Sequence, residues 1–162
     1  MTDAGVGKND AFDAFLEQLQ QYILDETKRG FGDKVVERWQ HPLYMRAMDD
    51  ADGHATVKGI CGDSMEIFLK FQDNAVLSAS FLTDGCGATV VCGSYAAEMS
   101  FGKAPDDLLE ITGESILTEL GGLPPDHQHC AFLAAASLHA AVDDYLVKLA
   151  RKRRTEGALD GT

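Results

Sequence analysis

A change in hydrophobic period near His54 constrains the fold more than any other feature of the sequence. From there to Leu82, apolar and polar residues alternate, which is typical of strands that bury one face. The alternation predicts three strands, over residues 55–59, 65–72 and 76–82. The Asp73-Asn74 pair between the last two strands favours a tight turn, so we expect those strands to form an antiparallel hairpin.

Helical spacing of apolar residues flanks the strands on both sides. Ahead of them, residues 10–29 predict an amphipathic helix with one buried stripe, and residues 33–40 predict a shorter helix that turns Trp39 inward. After them, helices are expected over 88–101, from Pro105, from Thr112 to Gly121, and from Asp126, which is expected to cap a long final helix. Strands followed by helices indicate an α+β fold, with a small three-stranded antiparallel sheet packed against a set of helices and an additional N-terminal amphipathic helix.

Size and charge narrow the class of protein. The 162 residues suffice for a buried core, and 45% of them are hydrophobic. The formal net charge of −12 argues against a nucleic-acid partner, because phosphate binding needs a basic face. The apolar runs are too short to cross a bilayer and the first ten residues carry no apolar export segment. We therefore expect a cytoplasmic protein with no membrane partner.

Three short cysteine-bearing stretches carry the candidate chemistry: Cys61-Gly-Asp63, Gly85-Cys86-Gly87 and His129-Cys130. Each falls at a predicted loop or helix start, and cysteines in a reducing compartment are more often ligands or reactive thiols than disulfides. Three soft sulfurs with an imidazole nitrogen or a carboxylate oxygen suit zinc or an iron–sulfur cluster, and they suit calcium or magnesium poorly. The pattern predicts that the three stretches converge on one metal or cluster site.

The surroundings of individual residues refine this prediction. Cys86 and Cys130 each lie at the start of a predicted helix, where the dipole and free N–H groups lower the pKa of a thiol. Cys92 lies inside a helical run and is expected to serve packing. Four histidines are expected outside the site, with His127 exposed to solvent: residues 41, 54, 127 and 139.

Several blocks of sequence together resemble the IscU/NifU-type iron–sulfur cluster assembly scaffold family. The matching blocks are Gly59-Ile-Cys-Gly-Asp63-Ser-Met65, Phe81-Leu-Thr-Asp-Gly-Cys-Gly-Ala-Thr89, Gly93-Ser-Tyr-Ala-Ala-Glu98, Leu120-Gly-Gly-Leu-Pro-Pro125 and His129-Cys130-Ala131-Phe-Leu-Ala134. They occur in order over roughly residues 33–148. Where many members carry a Leu-Pro-Pro-Val-Lys run that a dedicated chaperone grips, this chain has Leu123-Pro124-Pro125-Asp126-His127.

This resemblance implies a function and its partners. It implies a scaffold, not an enzyme, on which a [2Fe–2S] cluster is assembled from iron and persulfide sulfur and then transferred to acceptor proteins. The implied ligands are Cys61, Asp63, Cys86, His129 and Cys130, with Cys130 as the persulfide acceptor. The implied partners are a cysteine desulfurase, an electron donor such as a ferredoxin, and acceptor apoproteins. Zinc can substitute for iron at such ligands, and the chain is expected to be a monomer or a homodimer.

The resemblance also divides the chain into an N-terminal extension over residues 1–30, a scaffold domain over 31–151 and a disordered tail over 152–162. Three other interpretations stay open. One is a zinc-dependent sulfur acceptor of the SufU type, although that branch generally lacks the histidine before its last cysteine and has an insertion absent here. An enzyme with a Cys–His dyad is disfavoured because nothing marks an oxyanion hole. A structural zinc domain is disfavoured because paired Cys-x-x-Cys knuckles are absent from the sequence.

Overall fold

The computed structural model describes residues 6–159. Its elements follow one another as α1 Val6–Phe31, α2 Asp33–Gln40, β1 Gly53–Lys58, β2 Ser64–Gln72, β3 Ala75–Thr83, α3 Gly87–Ser100, α4 Pro105–Leu108, α5 Gly113–Leu120, a 3-10 helix Pro125–His127, and α6 His129–Leu159. This order confirms the α+β class. The three strands lie within two residues of their predicted bounds at each end.

The three strands form one antiparallel sheet in the order β1-β2-β3. Asp73 and Asn74 connect β2 to β3 with φ angles of 54° and 61°. Two consecutive left-handed residues form the kind of turn whose twist matches that of the paired strands. The hairpin predicted from this dipeptide is therefore confirmed.

One face of the sheet is covered by α3 and α6 and forms the core. Met65, Ile67 and Phe81 on that face have no exposed surface. Gly93 of α3 lies so close to the sheet that an added Cβ would approach the Phe81 ring to 2.5 Å. Alternation along β2 thus buries one set of side chains, and a glycine on α3 allows the helix to approach them.

The long helix α6 is strongly apolar, and much of it is buried in the core. It is long and apolar enough, by length and composition alone, to cross a membrane, but half of its most apolar window is buried inside the protein. Leu138, Ala141 and Val142 on this helix are fully buried in the core. Its apolar face therefore packs on the sheet and on neighbouring helices.

Helix α1 differs from its prediction. It runs from Val6 to Phe31, longer than predicted, and its apolar stripe is not buried. Phe12, Phe15 and Tyr22 are each more than half exposed, because α1 packs mainly on the short α2 and extends beyond it. Trp39 of α2, predicted to point inward, is 51% exposed.

The C-terminal region differs in two respects. Asp126 lies in the 3-10 helix Pro125–His127, and α6 begins only at His129. The helix then continues to Leu159, where the sequence predicts a disordered tail from residue 152. The predictions for residues 1–5 and 160–162 concern residues outside the described part of the chain, and the division into extension, domain and tail otherwise stays a prediction.

Candidate metal centre

Three separate loops bring the predicted site residues to one end of the sheet. Cys61 lies in the tight β1–β2 loop, where the Gly59 N–H donates to the Asp63 carbonyl at 2.7 Å and Gly62 adopts a φ of 90°. Cys86 is the residue that precedes α3. His129 and Cys130 are the first two residues of α6. The β1–β2 loop, the start of α3 and the start of α6 therefore meet.

The imidazole of His129 joins the first loop to α6. Its Nε2 lies 3.2 Å from the Cys61 sulfur and 3.7 Å from the Cys130 sulfur. Adjacent residues on a helix rarely face each other, yet the imidazole of His129 contacts the sulfur of the next residue, Cys130. Two predicted cysteines are thereby bridged by the predicted histidine.

A residue that the sequence analysis did not identify joins the remaining predicted ligands. The Thr89 hydroxyl lies 3.1 Å from an Asp63 carboxylate oxygen, 3.3 Å from the Cys130 sulfur and 3.6 Å from the Cys86 sulfur. Thr89 is fully buried. Its single hydroxyl hydrogen can be donated to only one of these groups at a time. Thr89 and His129 together connect all five predicted ligands.

A glycine permits this close arrangement. A Cβ on Gly85 would lie 2.7 Å from both the Asp63 carboxylate and the Thr89 side chain. The Gly85 N–H donates to the Thr83 hydroxyl at 3.1 Å, and that hydroxyl donates to the Ser64 carbonyl at 2.6 Å. The loop before α3 is thus fixed to the start of β2, with no room for a side chain beside Cys86.

Cys86 is the more acidic of the two thiols around Thr89. Its burial would by itself raise the pKa, but the nearby N–H and hydroxyl of Thr89 and the N–H of Ala88 favour the thiolate and lower it. The net effect places the pKa of Cys86 below its usual value. The prediction from its place at a helix start is confirmed, because polar groups of the first turn of α3 lower the pKa of the thiol.

Cys130 behaves in the opposite way, and the prediction of a lowered pKa is wrong for this residue. Burial raises the pKa of Cys130 to about 11, and the hydrogen bond from Thr89 only partly offsets that effect. The residue is 1% exposed, whereas Cys61 and Cys86 are exposed. Desolvation of the thiolate therefore outweighs the benefit of the helix start.

His127 also departs from its prediction. It is partly buried, not exposed, and one of its ring nitrogens forms a group with the sulfurs of Cys86 and Cys130 in which all three atoms lie within 4.8 Å of one another. The prediction assumed α-helical spacing between His127 and His129. His127 lies instead on a 3-10 helix, which turns its ring toward the cysteines.

The other predictions for cysteine and histidine are confirmed. Cys92 is fully buried within α3, and burial raises its pKa strongly, as expected of a packing residue. His41 and His54 are exposed. His139 is partly buried and its Nε2 lies 2.9 Å from the Ile111 carbonyl, so the ring donates a structural hydrogen bond. None of these four residues belongs to the group described above.

The arrangement defines a class of protein: a small α+β protein whose loops bring three thiols, two imidazoles and a carboxylate to one end of the sheet. Such a mixed set of soft and borderline ligands suits zinc and iron. Comparison with known proteins identifies the family. The profile described as NifU-like N terminal domain matches residues 31–152, and the chain belongs to that family.

Relatives of known name agree with this assignment. The chain is 40% identical over 119 residues to the iron-sulfur cluster assembly scaffold protein IscU 1 of Archaeoglobus fulgidus, covering 73% of this chain and 78% of that protein. It is 34% identical over 124 residues to the scaffold protein IscU of Aquifex aeolicus, covering 75% and 79%. A crystal structure of a NifU-like protein (N-terminal) from Brucella abortus superposes with a TM-score of 0.60 at 17% identity, covering 75% of this chain and 98% of that one, and shows the shared fold.

Proposed function

We propose that this protein is a scaffold on which an iron–sulfur cluster is assembled and from which it is transferred to acceptor proteins. The observation that carries the proposal is the convergence of Cys61, Cys86 and Cys130 with His129 and Asp63 through short contacts. Thiolates are the ligands that hold such clusters in proteins. The membership of the family and the scaffold names of its relatives support the same function.

Sulfur delivery would proceed by thiol–persulfide exchange. A Cys130 thiolate attacks the outer sulfur of a persulfide on a cysteine desulfurase, so that a new S–S bond forms on Cys130 and the donor cysteine leaves as a thiolate. This exchange involves no net oxidation. Because burial raises the pKa of Cys130 to about 11 in the free protein, the reaction requires Cys130 to lose its proton when the donor or a metal ion approaches.

Reduction of the bound sulfur would then supply the sulfide of the cluster. Each persulfide takes up two electrons and one proton to release H₂S and a thiolate. Two sulfides therefore need four electrons, and oxidation of two Fe²⁺ to Fe³⁺ in a [2Fe–2S]²⁺ cluster provides two of them. An electron donor such as a ferredoxin would supply the other two.

Asp63 would keep the cluster transferable. A carboxylate is a harder ligand than a thiolate and holds iron of an iron–sulfur cluster less firmly. The Asp63 carboxylate also accepts a hydrogen bond from Thr89, which competes with its binding to a metal ion. A ligand that binds weakly favours release of the finished cluster. The protein would act in the reducing cytoplasm, where its thiols stay free.

Reconstitution tests the proposal. The protein is incubated without oxygen with a cysteine desulfurase, cysteine, Fe²⁺ and a reductant, and the absorbance of sulfur-to-iron charge transfer is followed over time. We expect a coloured protein with equal amounts of iron and acid-labile sulfide. Cys86→Ala should lose most of this signal, whereas Cys92→Ala, which changes a buried cysteine outside the site, should retain it.

Two results would contradict the scaffold function. One is a colourless protein that holds a single zinc ion and no sulfide but still accepts persulfide, which indicates sulfur relay. The other is a cluster that forms equally well in the Cys86→Ala and Cys92→Ala variants.

A further inference from the structure

Helix α1 carries a stripe of large apolar side chains that the described part of the chain leaves largely uncovered. The α1 stripe consists of Phe12, Phe15, Leu16, Leu19, Tyr22 and Ile23, and each of these residues is at least 36% exposed. We propose that the α1 stripe is the contact surface of a homodimer, in which it packs against the α1 stripe of a second copy of this chain. This inference goes beyond the proposed function, because it concerns residues ahead of the matched family segment 31–152 and stands whether or not a cluster is built.

The spacing of the stripe residues places them on one side of the helix. At about 100° per residue, which follows from 3.6 residues per turn, the six positions fall within a sector of about 120°. A sector of this width is typical of a helix that packs against another helix. Because α1 packs mainly on the short α2, the stripe has the form of a packing face that the single chain does not use.

A helix such as α1 also depends on packing for its stability. Most helical stability in proteins comes from burial of an apolar face rather than from the intrinsic propensity of the residues. In the single chain, residues 10–23 of α1 are all exposed to solvent. A partner that covers the α1 stripe would therefore stabilise the helix as well as bury apolar surface.

The exposed area of the α1 stripe is large enough for a dimer. An aromatic residue has about 150–250 Å² of surface, so Phe12, Phe15 and Tyr22, which are 58–64% exposed, leave roughly 350 Å² uncovered in each copy. The three aliphatic residues of the stripe add to this area. Burial of both stripes would remove roughly 1,000 Å² from water, which is about the smallest area expected of a specific interface.

The border of the α1 stripe favours a second copy as the partner. Helical geometry places Ala11 and Gln18 along one border and Gln20 and Thr27 along the other, and all four are uncharged. A side-chain amide both donates and accepts hydrogen bonds, so a glutamine can pair with a glutamine of a second copy. Like charges at the border would instead repel each other across a twofold axis. Two copies of this acidic chain can therefore meet at the stripe without bringing their charges together.

The polar side of α1 makes a lipid surface a poor partner. Helices that lie on anionic membranes carry Lys and Arg on their polar side. The polar side of α1 carries Asp10, Asp13, Glu17 and Asp25, and the whole chain has a formal net charge of −12. Anionic lipid would repel both the helix and the rest of the protein.

Sedimentation equilibrium of the purified protein tests the proposal. The reduced protein is kept with a chelator, so that no metal ion bridges two copies, and its mass is measured from micromolar to millimolar concentration. For the parent we expect a monomer–dimer equilibrium. Leu19→Lys places a charge in the middle of the stripe and should raise the dissociation constant of the dimer at least about 100-fold, because each copy loses a leucine buried at the interface.

Gln21→Lys is the matched control, because it adds the same charge on the opposite side of α1. We expect it to dimerise like the parent. Both substitutions reduce the net negative charge of the chain, so a dimer lost in Leu19→Lys alone is lost through the stripe. Phe15→Lys is a second stripe variant and should behave like Leu19→Lys. Circular dichroism verifies that each variant keeps its helices.

A parent that is monomeric at every concentration overturns the proposal. So does a dimer that persists in both Leu19→Lys and Phe15→Lys, or one that Gln21→Lys weakens as much as Leu19→Lys does. A monomeric parent that sediments with phosphatidylglycerol vesicles would overturn it in favour of a lipid surface.

Discussion

The hydroxyl of Thr89 touches three predicted ligands, so it affects how each of them ionises. It lies 3.6 Å from the sulfur of Cys86, and where it donates to that sulfur it helps to lower the pKa of Cys86. The same hydrogen can be donated instead to Cys130, whose pKa burial raises to about 11. Within one site, Cys86 is therefore more acidic than its neighbour Cys130.

Removal of this hydroxyl should make Cys86 less acidic. Thr89→Val keeps the shape of the side chain and the backbone N–H but removes the donor. We expect the pH midpoint for alkylation of Cys86 by iodoacetamide to rise, because the thiolate loses one hydrogen bond. Thr89→Ser retains the hydroxyl and should keep the midpoint of the parent. An unchanged midpoint in Thr89→Val would show that the hydroxyl does not stabilise the thiolate.

The two thiols should also differ in reactivity in the parent. Cys86 is exposed and its pKa is lowered, whereas Cys130 is buried and its pKa is about 11. Near pH 7.5 we expect mass spectrometry to find Cys86 alkylated before Cys130, and modification of Cys130 to accelerate as the pH rises toward 11. If Cys130 is modified as fast as Cys86 at neutral pH, its thiol is not buried as described.

Asp63 offers a prediction about release of the cluster. In Asp63→Ala the weakly held carboxylate is gone, so the remaining soft ligands hold the cluster longer. We expect slower transfer to an acceptor apoprotein and slower loss of colour under chelator, both followed by absorbance. Faster loss of the cluster from Asp63→Ala than from the parent would show that the carboxylate holds the cluster in place.

At the scale of elements, the contact between α3 and the sheet positions Cys86. Gly93 faces Phe81, and a Cβ there would lie 2.5 Å from the ring. Gly93→Ala should therefore lower the free energy of unfolding by about 1–3 kcal/mol, the usual cost of overpacking. Gly30→Ala, where nothing lies within 4 Å of the added Cβ, should be neutral or slightly stabilising. Urea denaturation measures both variants, and equal stabilities would contradict the tight contact.

The periodicity of apolar residues predicts some features of the elements and not others. The sheet could be predicted because its signals are local in the sequence. Alternation of apolar and polar residues along β2 indicates a buried face, and the Asp73-Asn74 dipeptide by itself favours a tight turn. The stripe on α1 reports only that one face is apolar. Whether another element covers that face depends on distant parts of the chain, and α1 reaches beyond the core.

Near the site, predictions from helical spacing and from position at a helix start were also wrong for some residues. His127 lies on the 3-10 helix Pro125–His127, so α-helical spacing misplaces its side chain. Thr89 was identifiable in principle, because a residue three positions after Cys86 on a helix faces the same side. The raised pKa of Cys130 was not, since it depends on packing by α3 and the sheet rather than on its place at the start of α6.

At the scale of the whole molecule, the fold serves to bring three loops together. The sheet fixes the β1–β2 loop, and α3 and α6 start side by side against it, so residues up to 69 positions apart in sequence (Cys61 to Cys130) share one site. The family to which the chain belongs was predictable from several blocks of sequence, because three of them form the β1–β2 loop, the start of α3 and the start of α6.

The most direct test of the central claim is Mössbauer spectroscopy of the parent protein after reconstitution with ⁵⁷Fe, cysteine and a desulfurase. We expect the diamagnetic signal of a sulfur-coordinated ferric pair, with as much acid-labile sulfide as iron, and its loss in Cys86→Ala. A spectrum of mononuclear high-spin iron alone, with no sulfide on the protein, would contradict it.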